Sequence, residues 1–220
     1  MNRNSSNNEY YRHQRREMMP FLPLQFDRVL ELGCGEGAFG AAVKDQCNAE
    51  VWGIEIHSDA AAIASGVLDK VIVGDLEPSI ESLPESYFDV LVCNDVLEHL
   101  VDPVEILSQL RSKLKPGGVV VASIPNIRFI PAILTIVVRK DFPSEDAGIF
   151  DRTHLHFFTR KSIVRMFDSA GFEVNRLKGI NRPRRRDFPA VALTLALTFG
   201  FFADGLFTQY ACVATPKESP

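Results

Sequence analysis

Residues 29–40 read VLELGCGEGAFG, from Val29 to Gly40. The apolar run Val29-Leu30-Glu31-Leu32 stops at three glycines, Gly33, Gly35 and Gly37. A short run of this composition is a buried parallel strand. Glycines after it turn the chain tightly and let backbone approach a ligand with no Cβ in the way. Open parallel sheets bind ligands at the carboxyl ends of their strands, so this loop is the natural site.

The chain on either side repeats the pattern. Ala38–Cys47 suits a helix, and EVWGIEI, residues 50–56, a strand. Ser58 can cap a helix through the alanine-rich 59–66, with Gly66 near its end. KVIVGD (70–75) and YFDVLVCN (87–94) read as the third and fourth strands. Asp102-Pro103-Val104-Glu105 is a helix start: Asp102 accepts from orphan amides, Pro103 needs no donor, and Glu105 can reach back. That helix carries Ile106, Leu107, Leu110 and Leu114 on one face and stops at Pro116-Gly117-Gly118, before the fifth strand, VVVASIP. Strands alternating with helices predict an α/β fold, a Rossmann-like parallel sheet with helices on both faces. Beyond it, 129–138 (FIPAILTIVV) is apolar, Thr159 caps a helix ending at Gly171, and FEVNRLKGI and FTQYACVATP are the last two strands. The expected division is a tail and lid helix over 1–24, a ligand-binding half over 25–125, and a substrate-side half with cap insertions over 126–220.

The bulk numbers fit this. Of 220 residues, 46% are hydrophobic and 24% charged, ordinary globular composition. A formal net charge of −4 argues against wholesale nucleic-acid binding. The four cysteines, Cys34, Cys47, Cys93 and Cys212, form no CxxC pair, which predicts reduced thiols, a cytoplasmic setting and no zinc site. The N-terminus lacks the apolar core of a signal peptide. No stretch reaches the ~18 apolar residues of a membrane span. The nearest, 188–203, follows the basic segment RLKGINRPRRR (176–186), which holds six basic residues and no acidic one. The pair describes a surface that can sit on anionic lipid or on a lipid-linked substrate, although packing of 190–202 on the sheet edge is the leading expectation.

The loop spacing alone does not name its ligand: Gly33-x-Gly35-x-x-Ala38 also matches the dinucleotide fingerprint. Glu31 is more informative. A carboxylate at this loop repels a pyrophosphate and favours a ligand with a cationic end. S-adenosylmethionine has a sulfonium and an ammonium and no phosphate. Glu55, followed by Ile56, ends the second strand, where a carboxylate accepts both ribose hydroxyls of an adenosine. Asp75 can accept from an adenine amino group while the Leu76 amide donates to the ring.

VLELGCGEGAFG, GIEI, GDLE, FDVLVCNDVLEHL and LKPGGVVVASIPN occur in that order. Together they resemble the ordered motifs of class I S-adenosylmethionine-dependent methyltransferases, closely over about 25–125. FDRTHLHFFTRKSIVRMFDSAGF also resembles the region after the fifth strand in small-molecule members. The resemblance implies a seven-stranded sheet whose last strand inserts antiparallel between the fifth and sixth. It implies S-adenosylmethionine as cofactor, with Gly33, Gly35 and Gly37 along its methionine part, Glu31 near its amino group, Glu55 on the ribose, Asp75 near adenine and Asn94 at the methionine end. The members it most resembles are associated with cell-surface glycan assembly, so O-methylation of a sugar or lipid-linked sugar is the leading expectation. A quinone or other aromatic acceptor is the alternative, since sixteen phenylalanines could supply an apolar pocket. An NAD-dependent oxidoreductase and a non-catalytic nucleoside-binding module are further alternatives.

Methyl transfer needs positioning and exclusion of water more than it needs a triad, and a base only if the acceptor starts protonated. His154, in DRTHLHFFT, is the first candidate base, with Asp151 to orient it. His99, in NDVLEHLVDP, is the second. Tyr11, beside Tyr10 and ahead of Arg15 and Arg16, is a candidate lid over the cofactor.

Overall fold

The computed structural model describes residues 14–217. Seven strands form one sheet: β1 Arg28–Leu32, β2 Glu50–Glu55, β3 Lys70–Val73, β4 Phe88–Asn94, β5 Leu114–Pro125, β6 Phe172–Ile180 and β7 Gln209–Pro216. Their order is β3-β2-β1-β4-β5-β7-β6. β7 runs antiparallel between β5 and β6, and the remaining pairings are parallel, as the resemblance implies. The order reverses at β1, so its carboxyl end is the switch point at which such sheets form their crevice.

Period-2 alternation divides the strand residues between two layers of core. Leu30, Leu32, Ile54, Leu91 and Cys93 face one layer. Val29, Val51, Val90 and Val92 face the other, with Phe39 and Val43 of helix α1, Ala38–Cys47. Continuing the second set along its strands reaches Glu31 and Asn94 after two residues and Glu55 after four. The same alternation that builds the core therefore brings three polar side chains to one face at the carboxyl ends of neighbouring strands. Gly53 lies opposite Glu31 in register. A Cβ there would fall 2.4 Å from the Cys34 sulfur, so this glycine makes room for the loop after β1.

Helices α2 (Ser58–Ala64), α3 (Leu76–Glu81), α4 (Pro103–Leu110), α5 (Ile130–Val137), α6 (Arg160–Ser169) and α7 (Phe188–Leu197) complete the fold. Both strong start signals hold. Asp102 accepts from the Val104 and Glu105 amides at 3.0 Å, and Thr159 and Ser162 form a reciprocal capping box. Gly171 follows α6 at φ +80°, the left-handed stop expected there.

Several local expectations are corrected. Ser58 is the first helical residue of α2, and His57 precedes it without a side-chain cap. Glu105 does not reach back; it accepts from Gln109 one turn on. α4 ends at Leu110, because a 3₁₀ turn over Arg111–Lys113 returns the chain to β5, and Leu114 already pairs with Phe88. Pro116-Gly117-Gly118 is then a bulge inside β5, not a turn before it; the register passes from Phe88↔Leu114 to Val90↔Val119. α3 has no counterpart in the sequence reading. Its Pro78 and short length hide the helical period. α7 does not seal the sheet edge: Val191 is its one buried residue among those described, and it leans on α5. The expected tail and lid helix over 1–24 lies partly outside the described residues; within them a 3₁₀ segment, Arg16–Phe21, buries Met18 and Phe21.

Asp102 satisfies two orphan amides of α4, so Asp102→Ala should lower unfolding free energy by about 1 kcal/mol. Urea denaturation at neutral pH, with the slope unchanged, checks this.

Candidate active site

A cleft of about 950 Å³ opens over the carboxyl ends of β1 to β4. Its floor is the glycine loop, where Gly33, Gly35 and Gly37 all hold positive φ, between +54° and +80°. Other residues reach that region only with strain, so the loop shape depends on these positions being glycine.

Glu55 braces the loop from the next strand. One of its oxygens accepts the Gly35 amide at 2.8 Å and the other the His57 amide at 2.9 Å. Each keeps a further lone pair, so a diol can still be held. Ile56, 58% exposed, follows it on the cleft wall. Asp75 and Leu76 line the same wall, and Leu76 opens α3, so its amide has no intrahelical acceptor. Asp75 makes no cap bond with its side chain.

Glu31 is buried behind the loop, with one oxygen accepting the Gly40 amide at 3.2 Å. Burial pushes its pKa up to about 8, outweighing the opposing pull of the Gly40 amide and of Arg15. This corrects the picture of a standing negative charge. At neutral pH Glu31 is mostly a neutral acid that ionises when a cation arrives beside it. Asn94, also buried on the cleft, makes no well-formed hydrogen bond, although it stands close enough to Glu31 to help hold that group's pKa down. Buried amides rarely stay unpaired, and this pair suits the ammonium and carboxylate of an amino-acid end. Glu31, Asn94, Glu55 and the glycine cradle therefore fit an aminoacyl adenosine. Tyr11 lies outside the described residues. Arg15 lines the cleft and pairs with Asp95 at 2.5 Å. Asp95 has φ +52° and also accepts from Ser123 and Gln209.

The other wall is made where the β5–α6 connection is stitched onto the turn after β4. The Glu98 carbonyl accepts the amides of Leu155 and His156, at 2.8 and 3.1 Å. His156 bonds the Val101 carbonyl through Nε2, and His99 bonds the Thr153 carbonyl through Nδ1. This brings His99 and His154 together, 4.7 Å between ring centres.

The two histidines lie at different depths. His99 lines the cleft, whereas the side chain of His154 is 5% exposed and lies behind it. Burial, with His99 next, lowers the pKa of His154, so it is neutral. Asp151 does not orient His154. Its carboxylate accepts the Thr153 hydroxyl at 2.6 Å, and that oxygen lies 3.1 Å from His99 Nδ1. The chain Asp151, Thr153, His99 leaves His99 Nε2 as the free lone pair. His154 spends Nδ1 on the Ile149 carbonyl.

Sequence reasoning missed Glu98, whose side chain is fully buried, and Thr153. Glu98 stood beside His99 in the sequence and Thr153 beside His154. The available signal was adjacency alone, and only the stitched loop shows that the four converge.

The profile described as a methyltransferase domain matches residues 5–177. The chain belongs to this methyltransferase family. It is 27% identical over 160 residues to the ubiquinone biosynthesis O-methyltransferase of Aeromonas salmonicida, spanning 70% of this chain and 66% of that protein. To the protein of the same name from Paraburkholderia phymatum it is 29% identical over 168 residues, spanning 73% and 71%. The alignments thus span about two thirds of the relatives' own length. In fold it is similar to a SAM-dependent methyltransferase from Archaeoglobus fulgidus, with TM-score 0.70, 22% identity, and 94% and 93% of the two chains covered. With the family shown, the oxidoreductase alternative is set aside.

Glu31 has an ordinary pKa of 4.5 and about 8 in the fold, so the fold favours its protonated form. Its contribution to stability is full below about 4.5 and is lost as pH rises through about 8. Glu31→Gln should therefore gain stability relative to the parent as pH goes from 5 to 8.5. Urea titrations of ligand-free protein at both pH values check this; an unchanged difference would mean that Glu31 is not a buried acid.

Proposed function

We propose that this protein transfers the methyl group of S-adenosylmethionine to a hydroxyl of a quinone-like aromatic acceptor. The observation that carries the donor is the buried Glu31 beside the unpartnered Asn94, behind a glycine cradle that Glu55 braces. Glu31 takes the ammonium, Asn94 the amino-acid end, Glu55 the ribose, and Ile56, Asp75 and Leu76 the adenine. When bound, the cofactor supplies the methyl group and leaves as a neutral thioether. The protein positions the acceptor and keeps water out.

The names of the curated relatives support the aromatic acceptor over the lipid-linked sugar. So does the composition of the acceptor wall, where Val96, Leu100 and Val101 stand beside His99 and Thr153. His99 meets the hydroxyl, Asp151 fixes its tautomer through Thr153, and His154 supports His99 from behind.

A peripheral membrane contact belongs to the same reading. No helix among the described residues is long and apolar enough to cross a membrane. α7 is apolar on all sides yet exposed, with Leu193 at 60% and Leu197 at 71%. Phe199 and Phe201 continue the patch, as do Val137 and Val138 at the end of α5. Arg182, Arg184, Arg185 and Arg186 lead into it, all exposed. Apolar side chains rimmed by arginines match the boundary of an anionic bilayer, where a hydrophobic quinone resides.

The test of the reaction offers purified protein and labelled donor two acceptor sets, dihydroxyphenyl compounds and reducing sugars. Label should pass to the first set, S-adenosylhomocysteine should raise the melting temperature by several degrees at about 100-fold above its Kd, and His99→Ala should cut turnover with little change in that binding. Label passing to sugars alone would overturn the acceptor.

For the surface, flotation with vesicles containing phosphatidylglycerol should carry the protein upward, and Leu193→Glu with Leu197→Glu should leave it behind. Equal flotation of the double variant would rule out α7 as the contact.

A further inference from the structure

Glu31 reaches the cleft from β1 yet is only 3% exposed. The Gly40 amide of α1 donates to one of its oxygens at 3.2 Å, and a Cβ on Gly40 would fall 3.2 Å from that same oxygen. Few charged or titratable groups face it. From the N-terminal segment comes Arg15, whose guanidinium pairs with Asp95 at 2.5 Å. From β2 comes Glu55, a second acid, which opposes a charge on Glu31. The thiols of Cys34 in the glycine loop and Cys93 on β4 are both kept neutral by burial. Among the described residues no ion pair reaches Glu31 itself. Asn94, which makes no well-formed hydrogen bond, stands beside it. A carboxylate in that position would be a buried charge without a partner, and such a group keeps its proton instead.

We propose that capture of the donor's ammonium drives the proton off Glu31, so that pH controls donor affinity through this one buried side chain. The inference rests on the S-adenosylmethionine reading and deepens it by naming what regulates the same site. A neutral acid and an ammonium come together, a carboxylate–ammonium pair stays, and one proton leaves to solvent. The incoming cation is the partner that makes the buried charge tolerable. The neighbouring groups do not take its place: Arg15 is paired with Asp95, and Glu55 accepts the Gly35 and His57 amides.

Glu31 titrates at about 8 before the ligand arrives. Below that pH the acid has to give up its proton on binding, so affinity falls tenfold for each unit of pH. Above it the carboxylate is already formed, and affinity levels off while the ligand's amine stays protonated. In this reading ribose and adenine lie on Glu55, Asp75 and Leu76, away from Glu31. A ligand with the nucleoside but no amino-acid end therefore escapes the dependence.

The experiment titrates S-adenosylhomocysteine into the full chain by calorimetry, between pH 6.5 and pH 9. At each pH, two buffers of different ionisation enthalpy count the protons released. We expect close to one proton released at pH 6.5 and about a tenth of a proton at pH 9, with Kd about tenfold weaker per unit below pH 7.5. The same titration with 5′-methylthioadenosine, which lacks the amino-acid end, should release none and show a flat Kd. Glu31→Gln should abolish the release with S-adenosylhomocysteine, and circular dichroism checks that it is folded. The methylthioadenosine comparison is made on the parent, so it decides even if that variant does not fold. Equal proton release with the two ligands, or release unchanged in Glu31→Gln, would overturn the coupling. S-adenosylhomocysteine that binds with no proton release overturns the coupling alone; no binding at any pH removes the donor reading with it.

Discussion

Glu55 holds two backbone amides at once, that of Gly35 in the loop after β1 and that of His57 at the start of α2. Three residues of the loop are glycines with no side chain to pin them, and their positive φ values give it a freedom that a ligand site has to restrict. The carboxylate from the neighbouring strand supplies the missing constraint. It does so because β1 and β2 are parallel and in register, Leu32 opposite Ile54, so the end of one strand lies beside the loop of the other. Everything on the cofactor wall is placed from that bond.

The acceptor wall depends on a second fastening of the same kind. The Glu98 carbonyl takes two amides from a segment more than fifty residues on. That pairing buries the Glu98 side chain and turns His99 toward the cleft. One residue therefore fixes the wall through its backbone and leaves a carboxylate without partner through its side chain. Burial raises the pKa of that group well above the ordinary value, so the fold keeps it as a neutral acid.

The fold spends its apolar surface unevenly. The sheet is sealed by α1 on one layer and by α4 and α6 on the other, while α7 stands off with most of its apolar side chains in solvent. A monomer in water gains nothing from that arrangement. The exposed apolar side chains of α7 follow directly on the exposed arginines Arg182, Arg184, Arg185 and Arg186.

By itself the sequence determined the strands, most of the helices, the sheet order through its family resemblance, and the glycine loop after β1. Those features are local: alternation of period two, glycines at a strand end, Asp102 and Thr159 as caps. It could also place Glu31, Glu55 and Asn94 at the carboxyl ends of strands, Glu55 and Asn94 as the last residues of β2 and β4 and Glu31 one short of the end of β1. Only the tertiary structure decided what those groups are chemically. Glu31 is a neutral acid because it is buried, and burial is a property of the assembled layers. Tertiary packing likewise put His99 on the cleft and His154 behind it, joined the Asp151 carboxylate to Thr153, and buried Glu98. These depend on a loop closing across a long separation, and side-chain direction there follows from backbone hydrogen bonds that no spacing along the chain encodes.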